Sequence, residues 1–429
     1  MLKVRRSGPL EPLEPPDPLE PHRPALAGDT SCDVAIVGAG IAGCTAALSL
    51  AQRGYRVVVL EAEHVGWGAS GRSGGQVLPG TAASLAQLEG LIGAADTHRV
   101  WEMSVEGVAR LRELIARHQI ECDWTSGHMQ VALKPRQEAA LRAELEQLER
   151  RYAYRSARLM PLDEVRSIIA SRRYVAALYD AGAGHLNPGR YTRGLALAAE
   201  RAGARIFETT RVLGHSGGAA LEVRSTHGIV RCQHLLFCGN AWLGSTVPAL
   251  QSRIVPVGTY AIATEPLAPE RAAALVRNNA AVADCNWVLD YFRRSADHRL
   301  LFGGRISYSG LRGSAAARAT RRRMLGVFPQ LADARIAHAW GGYIDITLNR
   351  APDFGRLASN VWYVQGFSGH GIVLAGSAGQ LAAEAIGGTS ERFDVFARIP
   401  HRAFPGGPHL RRPALVLAML WYRLRDVLS

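Results

Sequence analysis

Lysine is nearly absent from this 429-residue chain: Lys3 and Lys134 are the only two among 50 basic residues. The formal net charge of +13 is therefore carried by arginine, scattered in short runs such as the one at 321–323. No helix-turn-helix or RNA-binding signature accompanies it, which argues against nucleic acid as a partner and leaves a general attraction for anions. Cysteine is also sparse. Cys32, Cys44, Cys122, Cys232, Cys238 and Cys285 are dispersed without a C-x-x-C pair. That spacing suits reduced thiols in a cytoplasmic protein better than a zinc site or disulfide frame, and no metal centre is expected. No apolar run reaches the roughly 18–20 residues of a membrane span, and the N-terminus lacks the apolar core of a signal peptide. Charged residues make up 20% and hydrophobic residues 48%. This is a globular profile, long enough for two domains or for one interleaved with another.

Residues 1–29, with "GPLEPLEPPDPLEPHRP", are expected to be a Pro-rich extended arm, because proline at this density permits neither helix nor sheet. Three stretches, 30–85, 176–249 and 335–390, alternate strand and helix. Between them, 86–175 carries Arg, Glu and Leu at helical spacing, and 250–334 is strand-rich, as in "RIVPVGTYAIATEPL". Residues 391–429 form a C-terminal extension that includes an amphipathic helix, "PALVLAMLWYRLRDVLS", expected to dock on the body. The fold class is α/β with an α+β insert. A Rossmann-like dinucleotide-binding domain is assembled from three chain segments and interleaved with a substrate domain built on a mixed β-sheet with helices.

The strongest motif is "DVAIVGAGIAGCTAALSLAQRGYRVVVLEAE". Gly38, Gly40 and Gly43 enclose Ala39, Ile41 and Ala42 in G-x-G-x-x-G between an apolar strand and an apolar helix. The first glycine allows a tight turn, the second admits a pyrophosphate to the backbone, and the third lets helix and strand pack closely. The helix N-terminus offers N–H groups and a positive dipole end to the phosphates. Glu61, followed by Ala62, ends the second strand, where a carboxylate accepts both ribose hydroxyls and repels a 2′-phosphate. NADP is thereby disfavoured; NAD and FAD both remain open on this motif.

Shortly after Glu61, from Val65, comes "VGWGASGRSGGQ", a glycine-dense stretch carrying Ser70, Arg72 and Gln76. It resembles the family of FAD-dependent amine oxidases that includes D-amino acid oxidase, glycine oxidase and sarcosine oxidase. The further segments "PVGTYAIATEPL", "DCNWVLDYFRRSADHRLLFGGR", "NRAPDFGRL", "GFSGHGI" and "ERFDVFARIPHRAFPGG" are most similar to its γ-glutamylputrescine oxidoreductase branch. The resemblance implies dissociable, non-covalent FAD. Ala69, Ser70, Gly71, Arg72, Gly74, Gly75 and Gln76 would line the second half of the cofactor, and Val212, Gly239 and Asn240 the adenosine half. A second flavin contact would come from Gly366, Ser368, Gly369, His370, Gly371 and Ile372.

The implied reaction is oxidation of an amine C–N bond by hydride transfer to flavin N5. It gives an imine that hydrolyses to aldehyde and ammonia, with O2 reduced to H2O2 and γ-glutamylputrescine or a related amine as substrate. His370, Tyr260 and Arg72 are the catalytic candidates, and Tyr260, Trp287, Tyr291, Arg293 and Asp345 the substrate-contact candidates, with Asn349 nearby. Two departures stand out. Ser73 occupies a loop position where relatives commonly carry asparagine, and no lysine is placed to assist oxygen as in sarcosine oxidases. A dehydrogenase passing electrons to a quinone or carrier is therefore an alternative. A non-catalytic flavin-binding interaction protein is a more distant one, opposed by glycine loops intact at each flavin contact. Oligomeric state is not legible.

Overall fold

A computed structural model describes residues 23–307 and 314–405. The arm over 1–22 and the amphipathic helix expected within 413–429 lie outside the described residues. Val34–Val37 and Val57–Leu60 are continuous apolar runs with every residue buried, the pattern of parallel strands covered on both faces. They sit centrally in a six-stranded sheet. Its order is Asp353–Ala358, Val361–Gln365, His234–Phe237, Val34–Val37, Val57–Leu60 and Arg205–Phe207. All neighbours are parallel except the first two, which form an antiparallel hairpin. The helices Ile41–Gln52 and Ile372–Ile386 are apolar almost all round and buried. They approach so closely that a Cβ on Gly379 would strike the Ala42 carbonyl. The four turns after Val37, Leu60, Phe237 and Gln365 therefore emerge together at the carboxyl edge of the sheet, where open α/β sheets bind ligands.

A second, mixed sheet stands beside this edge. Its order is Ile336–Thr347, Ile254–Thr264, Leu300–Ser307, Tyr291–Arg294, Ala281–Asp284, Thr125–Ala132, Ala176–His185 and Gln76–Val77, with Ala157–Met160 also pairing with Ala176–His185. Only the Ala281–Asp284/Thr125–Ala132 pairing is parallel. Three of its strands, Gln76–Val77, Ala176–His185 and Ile336–Thr347, fall inside the stretches that the sequence grouped with the dinucleotide-binding segments. Long-range pairing joins them to it: His128 aligns with Asp180, and Tyr260 aligns with Gly341. Residues 86–175 contain the expected helices Leu85–His118, Pro135–Tyr152 and Leu162–Ile168, but also Thr125–Ala132, a strand of this sheet. Behind the sheet lies an apolar core with Phe292, Phe302, Phe328 and Met129 fully buried.

A small third sheet, Thr30–Ser31, Ile229–Cys232, Leu221–Ser225 and Val212–Gly217, contains the hairpin legible in "ALEVRSTHGIVRC". The end of the Pro-rich arm departs from a free surface lead-in. Arg23 forms ion pairs with Glu200 (2.7 Å) and Glu208 (3.3 Å), and Leu26 is only 4% exposed. Glu208 also accepts the Val65 N–H at 3.0 Å. All six cysteines carry free thiols. Among the described residues no helix is long and apolar enough to cross a membrane, and no group of His, Cys, Asp and Glu has a metal-holding arrangement.

Candidate active site

A cavity of about 1060 Å³ runs from the carboxyl edge of the parallel sheet across one face of the mixed sheet. At its first end lie Gly38, Gly40, Ile41 and Ala42. The N-cap residue Gly40 brings no capping side chain and no acid occupies the first turn of the Ile41–Gln52 helix, so its dipole and the N–H groups beyond that of Ile41 are left for an anion. The Ile41 N–H is bonded to Ser70 Oγ at 3.0 Å, which ties the glycine loop to this turn. Gly43 does not line the cavity; a Cβ there would collide with the Gly38 carbonyl beneath the turn. The two Glu61 oxygens accept the N–H groups of Ala39 (2.8 Å) and Glu63 (2.9 Å). Burial pushes the Glu61 carboxyl above the ordinary range, with those backbone bonds opposing. Ala62, Arg211, Val212, Gly239 and Asn240 complete this end.

The middle of the cavity is walled by the glycine loop, whose Ala69–Arg72 forms a single helical turn. Arg72 lines the cavity, but its guanidinium is engaged with backbone: Nε donates to the Trp67 carbonyl (2.7 Å) and Nη1 to the Gly341 carbonyl (3.1 Å). It also lies 4.7 Å from the Trp67 ring centroid, and Trp340 Nε1 donates to the Arg72 carbonyl. Arg72 thus stitches the loop to the mixed sheet. The Ser73 hydroxyl accepts the Gly75 N–H at 3.3 Å, giving the serine a turn-forming role. Gly74 faces the Tyr291 ring, with Cδ2 at 2.9 Å from where a Cβ would stand. Gln76 donates to the Val282 carbonyl at 3.0 Å.

Opposite stands the turn after Val361–Gln365. Gly366, Ser368 and Gly369 all adopt positive φ, Ser368 at 53°. Gly366 and Asn240 are both bonded to the carboxyl of Asp345, and the Ser368 N–H donates to the Asp345 carbonyl at 3.0 Å. Asp345 is 1% exposed, and burial pushes its carboxyl up to about 6. His370 Nε2 donates to the Pro79 carbonyl at 3.0 Å, while burial holds the imidazole below its usual proton affinity. Its ring thus bridges two walls in neutral form. The Ile372–Ile386 helix begins without a side-chain cap or acid, again with N–H groups toward the cavity.

Of the residues singled out from sequence, Ala69, Ser70, Gly74, Gly75, Gln76, Ser368, Gly369, His370, Gly371, Ile372, Trp287, Tyr291 and Asp345 line the cavity. Ala39, Gly71 and Gly366 shape it from behind through backbone hydrogen bonds. Three further candidates lie outside the cavity lining. Tyr260 is not in the lining. Its neighbour Thr259 is, because successive side chains on Ile254–Thr264 face opposite sides of the sheet. Arg293 is 5% exposed and donates from Nε to the Gly74 carbonyl at 2.7 Å, so it supports the loop from beneath. Asn349 donates to the Pro400 carbonyl, outside the cavity. Sequence reasoning missed His128, Gln130, Asp180 and Asp284, which line the wall formed by the mixed sheet. The one signal was polar residues interrupting apolar strands, as Asp180 does in "AALYDAGAGH".

These features fit FAD on physical grounds: two uncapped helix N-termini facing one cavity, a strand-end carboxylate, and backbone where any Cβ would intrude. Residues 33–385 match the family model described as FAD dependent oxidoreductase, DAO. The chain is 40% identical to the γ-glutamylputrescine oxidoreductase of Escherichia coli K12 over 93% of this chain and 94% of that one. It is 36% identical to a probable oxidoreductase, OrdL, of Haemophilus influenzae, over 92% of each chain. Among solved structures, glycine oxidase from Bacillus cereus superposes with a TM-score of 0.72 at 20% identity, covering 86% of this chain and 99% of its own. L-proline dehydrogenase from P. horikoshii gives 0.70 at 21% identity, covering 85% and 96%. The likeness to the solved structures establishes the shared fold; the family model and the two sequence relatives identify this chain as a member of the DAO family of FAD-dependent oxidoreductases.

Proposed function

We propose that this enzyme oxidises the C–N bond of an alkylamine of the γ-glutamylputrescine type in the cytoplasm. The observation that carries the reading is 40% identity to the E. coli γ-glutamylputrescine oxidoreductase across nearly the whole of both chains. Bound FAD, held non-covalently, supplies a two-electron acceptor, which O2 would reoxidise to give H2O2. The net change removes a hydride and a proton from the amine, and water then hydrolyses the imine to an aldehyde and ammonia. The chain's own contribution is placement and electrostatics. The Ile372 helix N-terminus presents positive potential to charge developing beside it. Arg72, Arg293 and Tyr291 fix the glycine loop, and His370 fixes the opposite turn. Neutral His370 donates from Nε2 to a carbonyl, so its role in this reading is positioning; the amine reacts deprotonated and needs no strong base.

A second reading, a dehydrogenase using a quinone or carrier, is favoured by one observation: no lysine among the described residues lines the cavity. Anaerobic mixing of the purified flavoprotein with γ-glutamylputrescine, putrescine, sarcosine and glycine tests the proposal. Bleaching by γ-glutamylputrescine supports it, and bleaching by sarcosine alone defeats it. Reoxidation in air within seconds supports the oxidase; reoxidation only with an added quinone supports the dehydrogenase.

A further inference from the structure

The cavity also reaches the helix Pro135–Tyr152, whose Ala140, Glu144 and Gln147 line it opposite strands of the mixed sheet, and three acids are among the lining residues of this part. Asp180, Asp284 and Glu144 all line it. Asp180 is hydrogen-bonded by the Tyr154 hydroxyl at 2.8 Å and by the Gly182 N–H at 2.8 Å. No cationic side chain among the described residues pairs with it, and burial raises its proton affinity. A desolvated carboxylate held only by neutral donors still lacks the partner that stabilises its charge best. Directly across the strand pair from Asp180 is His128. It is 5% exposed, lines the same cavity, and its Nε2 has no hydrogen-bond partner. Burial pushes its imidazole down to about 3, so the ring offers a neutral hydrogen-bonding nitrogen and no competing positive charge. A buried imidazole nitrogen left without a partner is costly unless a ligand satisfies it, and the carboxylate across the strand pair has neutral donors but no cation.

Resting on the amine-oxidase reading above, we propose that Asp180 and His128 form a subsite for a second ammonium group, remote from the reacting amine, so that the enzyme selects bifunctional cationic amines over monoamines. Asp180 accepts one ammonium N–H and His128 Nε2 accepts another, while Tyr154 keeps the carboxylate oriented. A diamine presents such a group directly, and a γ-glutamyl amine presents it as the α-ammonium of its amino-acid head.

The test uses holoenzyme reduced with dithionite under anaerobic conditions, so that no turnover intervenes. Binding of 1,4-diaminobutane and 1-aminobutane is measured by calorimetry. The expected result is roughly tenfold or more tighter binding of the diamine, as a charge-assisted pair in a buried site provides. Asp180→Asn keeps the Tyr154 contact; it should lower diamine affinity about tenfold and leave monoamine affinity within about twofold. Equal affinities in the unaltered enzyme, or equal weakening of both ligands in Asp180→Asn, overturns the proposal. Should Asp180→Asn lose its flavin, the comparison on the unaltered enzyme and the variant His128→Leu, with the same expectation, still decide. Diamine preference without bleaching of the oxidised flavin by any amine would uphold the subsite and remove the functional reading. Bleaching without preference would do the reverse.

Discussion

The carboxyl of Asp345 accepts the backbone N–H of Gly366. One buried side chain on the mixed sheet thereby holds the turn that opens the Ile372 helix, and it reaches Asn240 on a third segment as well. Asp345→Ala strands the Gly366 N–H, and leaving a buried donor unpaired costs about 1–3 kcal/mol. The expected outcome is a folded protein with lower thermal stability and at least about tenfold weaker FAD retention. Both are measurable by thermal denaturation and by flavin-fluorescence titration of the apoprotein.

The pH dependence of stability follows from two acids that line the cavity and are raised on folding. Burial pushes Asp345 up to about 6 and Asp284 up to about 7, with the Asp290 carboxylate as a second cause for Asp284. For acids raised on folding, the contribution to stability is complete below the unfolded value near 4 and is lost as pH rises through 6 and 7. Asp284→Asn removes one such group. Its melting temperature relative to the parent should climb between pH 4 and pH 7 and level off above; a flat difference across that range would contradict the assignment.

Gly74 and Tyr291 occupy the space that one added carbon would need. Gly74→Ala should therefore purify with little flavin. Adding Tyr291→Ala opens room for the new methyl group and should recover flavin content, read as the absorbance ratio of flavin to protein. Failure of the pair to recover would mean that the loop backbone, not the ring, is what Gly74 protects.

Arg72 serves two carbonyls at once, those of Trp67 and Gly341. Lysine retains the charge but cannot span both with a planar fork. Arg72→Lys should weaken FAD retention by about tenfold, the scale of one or two lost charge-assisted hydrogen bonds. Tyr260→Phe, off the cavity wall, should leave kcat/KM within about twofold, since a group that does not touch the ligand has no direct term in its binding.

The strand–turn–helix around Gly38 was legible because every level agreed: an apolar β-branched run, glycines at fixed offsets, an apolar helix and a closing Glu61. The glycine loop was legible through its resemblance, and Ser73, the departure noted there, forms a small turn of its own with Gly75. What escaped depends on pairings between distant segments. Asp180 and His128 are 52 positions apart and meet only because Thr125–Ala132 and Ala176–His185 align antiparallel. Tyr260 and Thr259 illustrate a smaller gap: in a strand that is largely buried along its length, alternation does not announce which face meets the cavity. Arg293 was read as a substrate contact because charge in a strand suggests a ligand, whereas its guanidinium Nε donates to the Gly74 carbonyl.

The docking of Arg23 carries a consequence for handling the molecule. Glu208 joins Arg23 to the Val65 N–H, where the glycine loop begins. Arg23, ahead of the first strand, is thus mechanically continuous with the cofactor cradle. A tag or truncation that disturbs position 23 would be registered as a change in flavin affinity, and flavin occupancy becomes a gauge of whether that end of the chain is seated.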